Sequence, residues 1–398
     1  MPTVTWSSST RSEGCVRASW GQRIGELDPA QWNALTDGAH PFLRHAWLRA
    51  LETSGSVGEG TGWEPAYVTL SDASGLAAAA PAYLKRHSYG EFVFDFSWAQ
   101  AYARAGLAYY PKLVIAVPFT PATGPRLLVR ADLPYETTAA RLLEAIESFV
   151  NEHGLSSAHV LFPDQRSKAV LDARGWLARR DCQFHWENRG YRSFDDFLAS
   201  FTAEKRKKAR RERRRVAEQG IFYETREGTE LGAAELDRIF ALHRDTFVRH
   251  GHEPYLTRAF FGTIAAVPDG GLIVKLARLA TAPQRPIVAA AILFAGRDTL
   301  YGRYWGAAAG LHSLHFETCY HQGVELCIER GFARFEPGTQ GEHKVSRGFE
   351  PRLTWSSHYI VEPRFRAAIA DFLAREGRHV DEYAAAVADH VPFRQDAV

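Results

Sequence analysis

The sequence predicts an α/β protein built of two similar domains, each a mixed central sheet flanked by helices. Three observations carry this. Strand-like apolar runs alternate with stretches of helical periodicity along most of the chain. Gly, Pro, Asn and Asp punctuate those runs. A short pattern also recurs: Pro41-Phe42-Leu43-x-x-Ala46-Trp47 is matched by Pro254-Tyr255-Leu256-x-x-Ala259-Phe260, and each copy opens a helix followed by two strands. The 398 residues suit two or three domains at roughly 150 residues each.

Residues 1–14 are rich in Ser and Thr and are read as disordered. In the first domain, placed at 15–190, Asp28 and Pro29 open a helix as N-cap and first helical residue. A second helix ends at Gly55. "WEPAYVTLSD" and "LAAAAPAYLKRH" are strands joined by a turn, and "EFVFDFSW" and "PKLVIAVPF" are further apolar runs. "TTAARLLEAIESFVNEHG" is a helix closed by Gly154, and the strand "SSAHVLF" follows. The second domain, placed at 221–398, repeats the order. Strands "GLIVKLARL", "PIVAAAILFAG" and "TLYGRYWGA" lead to the helix "HSLHFETCYHQGVELCIERG" and the strand-like "ARFEPG".

Between them, residues 191–220 carry a basic helix. No Pro or Gly interrupts Phe194 to Gln219, and nine of the eleven residues from Lys205 to Arg215 are basic. At 100° per residue Leu198, Phe201, Ala209 and Val216 fall in one narrow stripe, with Lys205 and Glu212 beside them. The other cations cover the wider arc. A solvated helix sustained by Glu212 pairing with Lys208 is one reading, and a localisation signal is another. Phosphate contacts to a nucleic acid through Lys205, Arg206, Lys207, Lys208, Arg210, Arg211, Arg213 and Arg214 are the third, because like charges at i,i+4 repel unless a polyanion neutralises them. The whole chain is only +2, so the residues outside this element hold 39 basic and 45 acidic groups, a net −6. That favours a local polyanion contact over general coating of nucleic acid.

Composition excludes several classes. Four cysteines without a C-x-x-C pair indicate neither a disulfide framework nor a zinc knuckle. The N-terminus lacks an apolar signal core, and no apolar run reaches the ~18 residues of a membrane span. A cytoplasmic protein is expected. There is no G-x-S-x-G elbow, P-loop or G-x-G-x-x-G after a strand. His312, His315 and His321 share one helix, but without H-E-x-x-H a packed or exposed role outweighs metal ligation, and no metal is expected.

Three stretches remain as carriers of chemistry. In "FEPGTQGEHKVSRGFEP" Glu342, His343, Lys344 and Arg347 stand within six residues, which suits a site where negative charge develops, as in a tetrahedral acyl intermediate. A salt-bridged loop would look the same. "LYGRYWGAAAGLHSLHFE" runs from a strand into a helix starting near His312, and helix N-termini bind anions. Its Arg303-x-x-Gly306-x-Ala308 fits the loose R-x-x-G-x-A pattern with which acetyltransferases grip a pyrophosphate, so Arg303, Tyr304, Trp305, Gly306, His315 and Glu317 form a candidate donor site. A buried aromatic strand is the alternative. Tyr89, Glu91, Asp95, Tyr110, Lys112 and Arg126 are polar groups among apolar strands; they line an acceptor cleft or pair structurally.

The stretches "GEFVFDFSWAQAY", "YYPKLVIAVPFTPATGPRLL", "LYGRYWG", "HFETCYHQGVELCIERG" and "FEPGTQGEHKVSRGFEP" resemble the bacterial FemAB-like group of the acyl-CoA N-acyltransferase (GNAT) superfamily, over nearly all of residues 20–385. The resemblance implies tandem GNAT-like domains and transfer of an amino acid from aminoacyl-tRNA to an amine. Nothing is bound permanently; aminoacyl-tRNA, or alternatively an acyl-CoA, is the co-substrate, and the acceptor is a small-molecule or peptide amine. In the Fem ligases a Lys-containing segment followed by Gly-Phe lies near the transfer centre, to which Lys344 and Arg347-Gly348-Phe349 correspond here. The long coiled-coil insertion of some members is lacking. A non-catalytic module that recognises a peptide or cell-wall precursor is the further alternative.

Overall fold

The computed structural model describes residues 17–394 other than 22, 269, 309–312 and 340. The disorder expected of residues 1–14 lies outside them. The chain folds as two compact units. One comprises the residues up to Asp181 together with Thr354–Val380; the other comprises Cys182–Leu353 and the residues from Asp381 onward.

In the first unit, β1 (Arg17–Gly21), β3 (Tyr67–Asp72), β4 (Gly75–Ala80) and β7 (Leu128–Val129) pair antiparallel in the order β1-β3-β4-β7, where β2 (Trp63–Pro65) stands outside that sheet. β2, β5 (Ala82–Lys85) and β6 (Lys112–Ile115) form a second antiparallel set, and β6 continues in parallel to β8 (Ser157–Leu161). The crossover from β6 to β8 contains the helix Tyr135–Glu152. Its Ala139, Leu142, Leu143, Ile146 and Val150 recur at helical spacing, and all five are buried in the core with Val68, Leu113 and Val160. Asp28 caps the helix Pro29–Ala34 as expected, its Oδ1 accepting from Gln31 N at 2.8 Å.

"EFVFDFSW" is not a strand. The chain runs irregularly to Asp95, and a helix starts at Phe96 and ends at Arg104. Here the acids are buried and aromatic residues exposed, the reverse of the pattern that apolarity alone suggests.

β9 (Leu177–Glu187) carries the chain into the second unit. There β10 (Ile221–Glu227), β11 (Leu272–Leu279), β12 (Ile287–Ala295) and β13 (Thr299–Ala307) form an antiparallel meander. After a helical connection, β14 (Arg334–Glu336) pairs in parallel with β13 and antiparallel with the end of β9. β15 (Glu350–Ile360) leads back to the first unit, where Ser356–Ile360 pairs with β8. Ile369 and Leu373 of the following helix, Pro363–Ala388, pack with Trp98 and Tyr102. Residues 354–380 therefore fold with the first unit rather than with the contiguous stretch 221–398.

The basic segment is two helices, Phe194–Ala199 and Ala203–Glu218. Between them the backbone is claimed from outside: Thr202 N donates to Pro392 O at 2.8 Å, and Ser200 O accepts from Arg394 N at 2.9 Å. The Phe201 ring is clamped between Phe197 and Phe393. The expected seam holds: Leu198, Phe201, Ala209 and Val216 are all buried.

Candidate active site

The pairing of β13 with β14 runs only from Thr299↔Arg334 to Tyr301↔Glu336. β13 then continues for six residues without that partner, and the register shift opposite Ile292/Leu293 leaves Arg303 as an extra, unpaired residue that bends β13 itself. At this splay lies a cavity of about 90 Å³, lined by Arg303, Tyr304, Trp305, His315, Cys319, Tyr320 and neighbouring strand residues, with Pro337 at its edge. Four of the six residues of the candidate donor set therefore meet at one opening. Burial presses on the Arg303 guanidinium and lowers its pKa, and the Tyr304 hydroxyl and Glu336 oppose the shift. His315 stacks near Trp305, ring centres 4.6 Å apart, and burial lowers its pKa to about 4, so it is a neutral imidazole.

Gly306 does not belong to that opening. It pairs with Ala290 in the ladder, and a Cβ there would lie 2.2 Å from the Leu242 carbonyl carbon of the helix Ala233–Arg249. The R-x-x-G-x-A segment from Arg303 to Ala307 is strand, so the pyrophosphate grip read from it is not formed by Gly306. The glycine is needed for close helix–sheet approach. Gly306→Ala is expected to cost about 1–3 kcal/mol by overpacking, measured by denaturant unfolding. The helix start expected near His312 lies outside the described residues.

The cavity is backed by an unusual helical turn. The helix Leu314–Phe316 widens into a π-helical turn, Glu317–His321, before Gln322–Arg330 resumes normal winding. π-turns recur at functional sites because the extra residue re-aims side chains. Here Cys319 and Tyr320 face the cavity, while Glu317 and His321 face the basic helix. His321 is buried with Nε2 3.5 Å from Glu212, whereas His315 is held by Trp305. Among the described residues no group of three or more His, Cys, Asp and Glu is placed to hold a metal ion.

The segment Glu342–Arg347 is a short 3₁₀ helix that sorts its four candidate residues. Lys344 and Arg347 turn inward and Glu342 and His343 outward. Lys344 is 1% exposed and donates to Gly338 O at 2.6 Å. Burial lowers its pKa to about 7, partly offset by Cys319. Arg347 is committed: Nη2 donates to Glu212 at 2.8 Å, Nη1 donates to His343 O at 2.6 Å, and the guanidinium lies 3.6 Å over the Phe316 ring. His343 pairs with the Tyr320 hydroxyl at 2.8 Å, and burial, Lys344 and Arg347 together lower its pKa. Glu342 accepts from Tyr383 OH at 2.9 Å on the surface. Gly348, at φ 86°, ends the turn under the Phe197 ring, where a Cβ would come within 2.7 Å. Of the donor and transfer residues named from sequence, Lys344, His343, His315, Arg303, Tyr304 and Trp305 thus converge. Sequence reasoning missed Tyr320 and Cys319, because the π-turn that aims them has no composition signature.

The basic helix is joined to this loop. Glu212 does not pair with Lys208; it accepts from Arg347, and Arg213 bonds to Glu317 at 3.1 Å and Glu325 at 2.8 Å. Burial acts against the Glu212 carboxylate, but His321 and Arg347 outweigh it and hold its pKa down. Arg213 is therefore a structural residue rather than an outward contact. Lys207, Lys208, Arg210, Arg211 and Arg214 remain exposed, while Lys205 and Arg206 are half-buried. Arg210 meets Asp195 and Arg214 meets Glu218 at exposed sites, pairs worth about 0–1 kcal/mol each and easily exchanged.

The acceptor set lies in the first unit, closed on itself. Lys112 Nζ donates to Glu91 at 2.8 Å, Asp95 at 2.5 Å and Ser88 at 2.9 Å, with all three ionic side chains at most 3% exposed. Tyr110 bonds to Ser88, and Tyr109 to Asp95. Arg126 is elsewhere, donating to the carbonyls of Leu161 and Ala122. These groups do not line an open cleft: Glu91, Asp95 and Lys112 are buried against one another, and Arg126 is buried on backbone carbonyls. Only Tyr89 presents its side chain to solvent.

A family model described as peptidoglycan biosynthesis/recognition, FemAB-like, matches residues 23–395. The chain belongs to the FemAB-like family. The same relationship is seen in three dimensions. The crystal structure of FemX superposes with a TM-score of 0.52 at 11% identity, covering 86% of this chain and 98% of FemX. The C-terminal domain assigned to a lysylphosphatidylglycerol synthetase of Agrobacterium fabrum gives 0.52 at 11%, covering 89% and 96%. L-PGS from Bacillus licheniformis gives 0.51 at 11%, covering 88% and 97%. No curated sequence matches. The FemAB-like chain thus shares the α/β fold of these three structures. Among the described residues no helix is long and apolar enough to cross a membrane.

Proposed function

We propose that this FemAB-like protein is an N-acyltransferase that moves an aminoacyl group from aminoacyl-tRNA to an amine. One observation carries the choice of donor. The helix that displays the cations on its outer face is fastened through its inner face, by Glu212 to Arg347 and by Arg213 to Glu317, to the loop and π-turn around the cavity. A polyanion held on that helix is held beside the site of transfer. The FemAB-like family and the resemblance to FemX and to the lysylphosphatidylglycerol synthetase domain support the same reading. The reading also holds that the protein works in the cytoplasm.

In this reading the acceptor nitrogen attacks the ester carbonyl, and the C–N bond forms as the carbonyl becomes an oxyanion. Lys344, as an ammonium in a water-poor setting, donates to that oxyanion. Arg347 has both terminal nitrogens engaged and instead positions the loop. His343 takes the proton from the attacking nitrogen; its neutral ring suits a base. Collapse breaks the C–O bond, and the proton held by His343 passes to the departing oxygen, which leaves as the ribose hydroxyl of the tRNA.

An acyl-CoA donor is the second reading, favoured by the loss of Arg213 to internal pairs. A donor screen separates the two: radiolabelled aminoacyl-tRNAs and acyl-CoAs are offered to the purified protein, and hydrolysis or transfer of the acyl bond is read. Binding gives an independent check. Replacing Lys207, Lys208, Arg211 and Arg214 with Gln is expected to flatten the slope of log K against log salt for tRNA by about 3. An unchanged slope removes the basic helix from donor binding.

A further inference from the structure

The segment from Ser88 to Phe96 is turned inside out. Its acids Glu91 and Asp95 are 3% and 2% exposed, while Tyr89, Phe94 and Phe96 are 65%, 55% and 39% exposed. Ordinary partition runs the other way in both respects. The exposed rings form a cluster: Tyr89 lies 5.8 Å and Phe94 6.3 Å from Phe96, and His87 lies 5.4 Å from Tyr89. Beneath them, Lys112 takes up both acids. The outer face of the segment is thereby left aromatic and stripped of its own negative charge, with Arg86 at one end, its side chain 63% exposed and paired with Glu64 at 2.9 Å.

The inner edge of the same segment borders a cavity of about 30 Å³, walled by Phe92, Phe94, Phe162 and Trp355 with Arg179 and Arg180. Phe92 and Phe162 sit at φ 60° and 53°, in the left-handed region that bulky side chains avoid. Such strain gathers at ligand clamps. Arg179 fixes the display, donating from Nη1 to Phe94 O at 2.9 Å while Nε and Nη2 hold Glu376.

We propose that this aromatic face of the first unit binds unpaired RNA nucleotides by stacking bases on Tyr89, Phe94 and Phe96. It deepens the proposed function, and rests on that reading only for the source of the strand, an unpaired segment of a tRNA. Neighbouring rings, guanidinium groups and an absence of exposed carboxylates in the segment itself are what a single strand needs: a π-face for each base and no repulsion of its phosphates. A lipid surface fits less well. Exposed Ser97, Gln100 and Arg104 interrupt the apolar area along the helix Phe96–Arg104.

The test uses the full chain and a fluorescent six-nucleotide single-stranded RNA, read by anisotropy, with duplex RNA and phosphatidylglycerol vesicles alongside. Tyr89→Ala or Phe94→Ala is expected to weaken hexamer binding roughly five-fold or more, and Phe94→Trp to retain it. These side chains are exposed, so the thermal unfolding midpoint is expected to stay in place. The Lys207, Lys208, Arg211 and Arg214→Gln protein separates the readings. If it loses tRNA but keeps aromatic-dependent hexamer binding, the inference stands whatever the donor. Hexamer binding that is absent, or indifferent to both alanines, overturns it, even if tRNA still binds through the basic helix. Loss of vesicle binding in the alanine variants, with the hexamer unaffected, assigns the face to a membrane instead.

Discussion

Replacing Lys344 with methionine is expected to slow aminoacyl transfer roughly 10²–10³-fold with little change in donor binding. Methionine keeps the length and volume of the stem and removes only the charged head, so the buried loop remains filled. The measurement is single-turnover transfer from a saturating, preloaded donor, which isolates the chemical step from binding. A wild-type rate for Lys344→Met would remove Lys344 from the mechanism and return the role to Arg347. The pH dependence adds a second, independent readout. Because burial brings the Lys344 pKa to about 7, the ammonium is lost as pH rises through neutrality. Transfer is therefore expected to decline above about pH 7 for an acceptor already deprotonated there. Lys344→Arg stays charged and flattens that decline, though at a lower maximum. A rate that climbs through pH 7 and loses its climb in Lys344→Arg would make Lys344 the base. Stability moves in the opposite sense. The unfolded chain binds this proton up to the ordinary lysine range and the folded chain releases it near 7, so the contribution of Lys344 to stability increases with pH between the two.

The architecture was legible because it rests on periodicity. The helix around Leu142 announces itself by its spacing of 3.6 and the strands around Val160 and Ala290 by short continuous apolar runs, and the seam of the basic helix was read from four apolar residues. What the sequence hid was pairing across distance. Nothing local says that Glu212 reaches Arg347 rather than Lys208, since both are sterically sensible and only the folded loop decides. The break at Phe201 depends on residues 392–394, nearly two hundred positions away. The R-x-x-G-x-A reading failed at Gly306 for a related reason: a small residue needed for helix contact is spelled like one needed for phosphate approach. "EFVFDFSW" misled because its alternation is genuine but its buried phase is the acidic one, and that choice is set by Lys112 on another element.

Lys112→Met should then have the largest effect on stability, about 3–5 kcal/mol, because it removes one partner of a buried pair and strands the other. Glu91 and Asp95 each already have one oxygen, Oε1 and Oδ1, buried without a hydrogen-bond partner, so neither has a substitute waiting. In the intact cluster burial acts against both carboxylates. For Glu91 it prevails over Lys112 and raises the pKa to about 7; for Asp95, Lys112 and His159 prevail and lower it to about 2. Asp95 thus contributes stability above the ordinary carboxylate range that is lost as pH falls towards 2, whereas Glu91 costs stability as pH rises from its ordinary value through 7. Without Lys112 the attraction disappears and the burial penalty remains, so both acids favour their protonated forms. The gap between wild type and Lys112→Met, measured by urea unfolding, should therefore narrow as pH falls from 8 to 5. Adding Glu91→Gln and Asp95→Asn should recover part of the loss at pH 8, since neutral amides need no counter-charge. A gap within about 0.5 kcal/mol at pH 8, the range of ordinary surface substitutions, would mean that water reaches the cluster and that its charges are not what holds the aromatic segment in place.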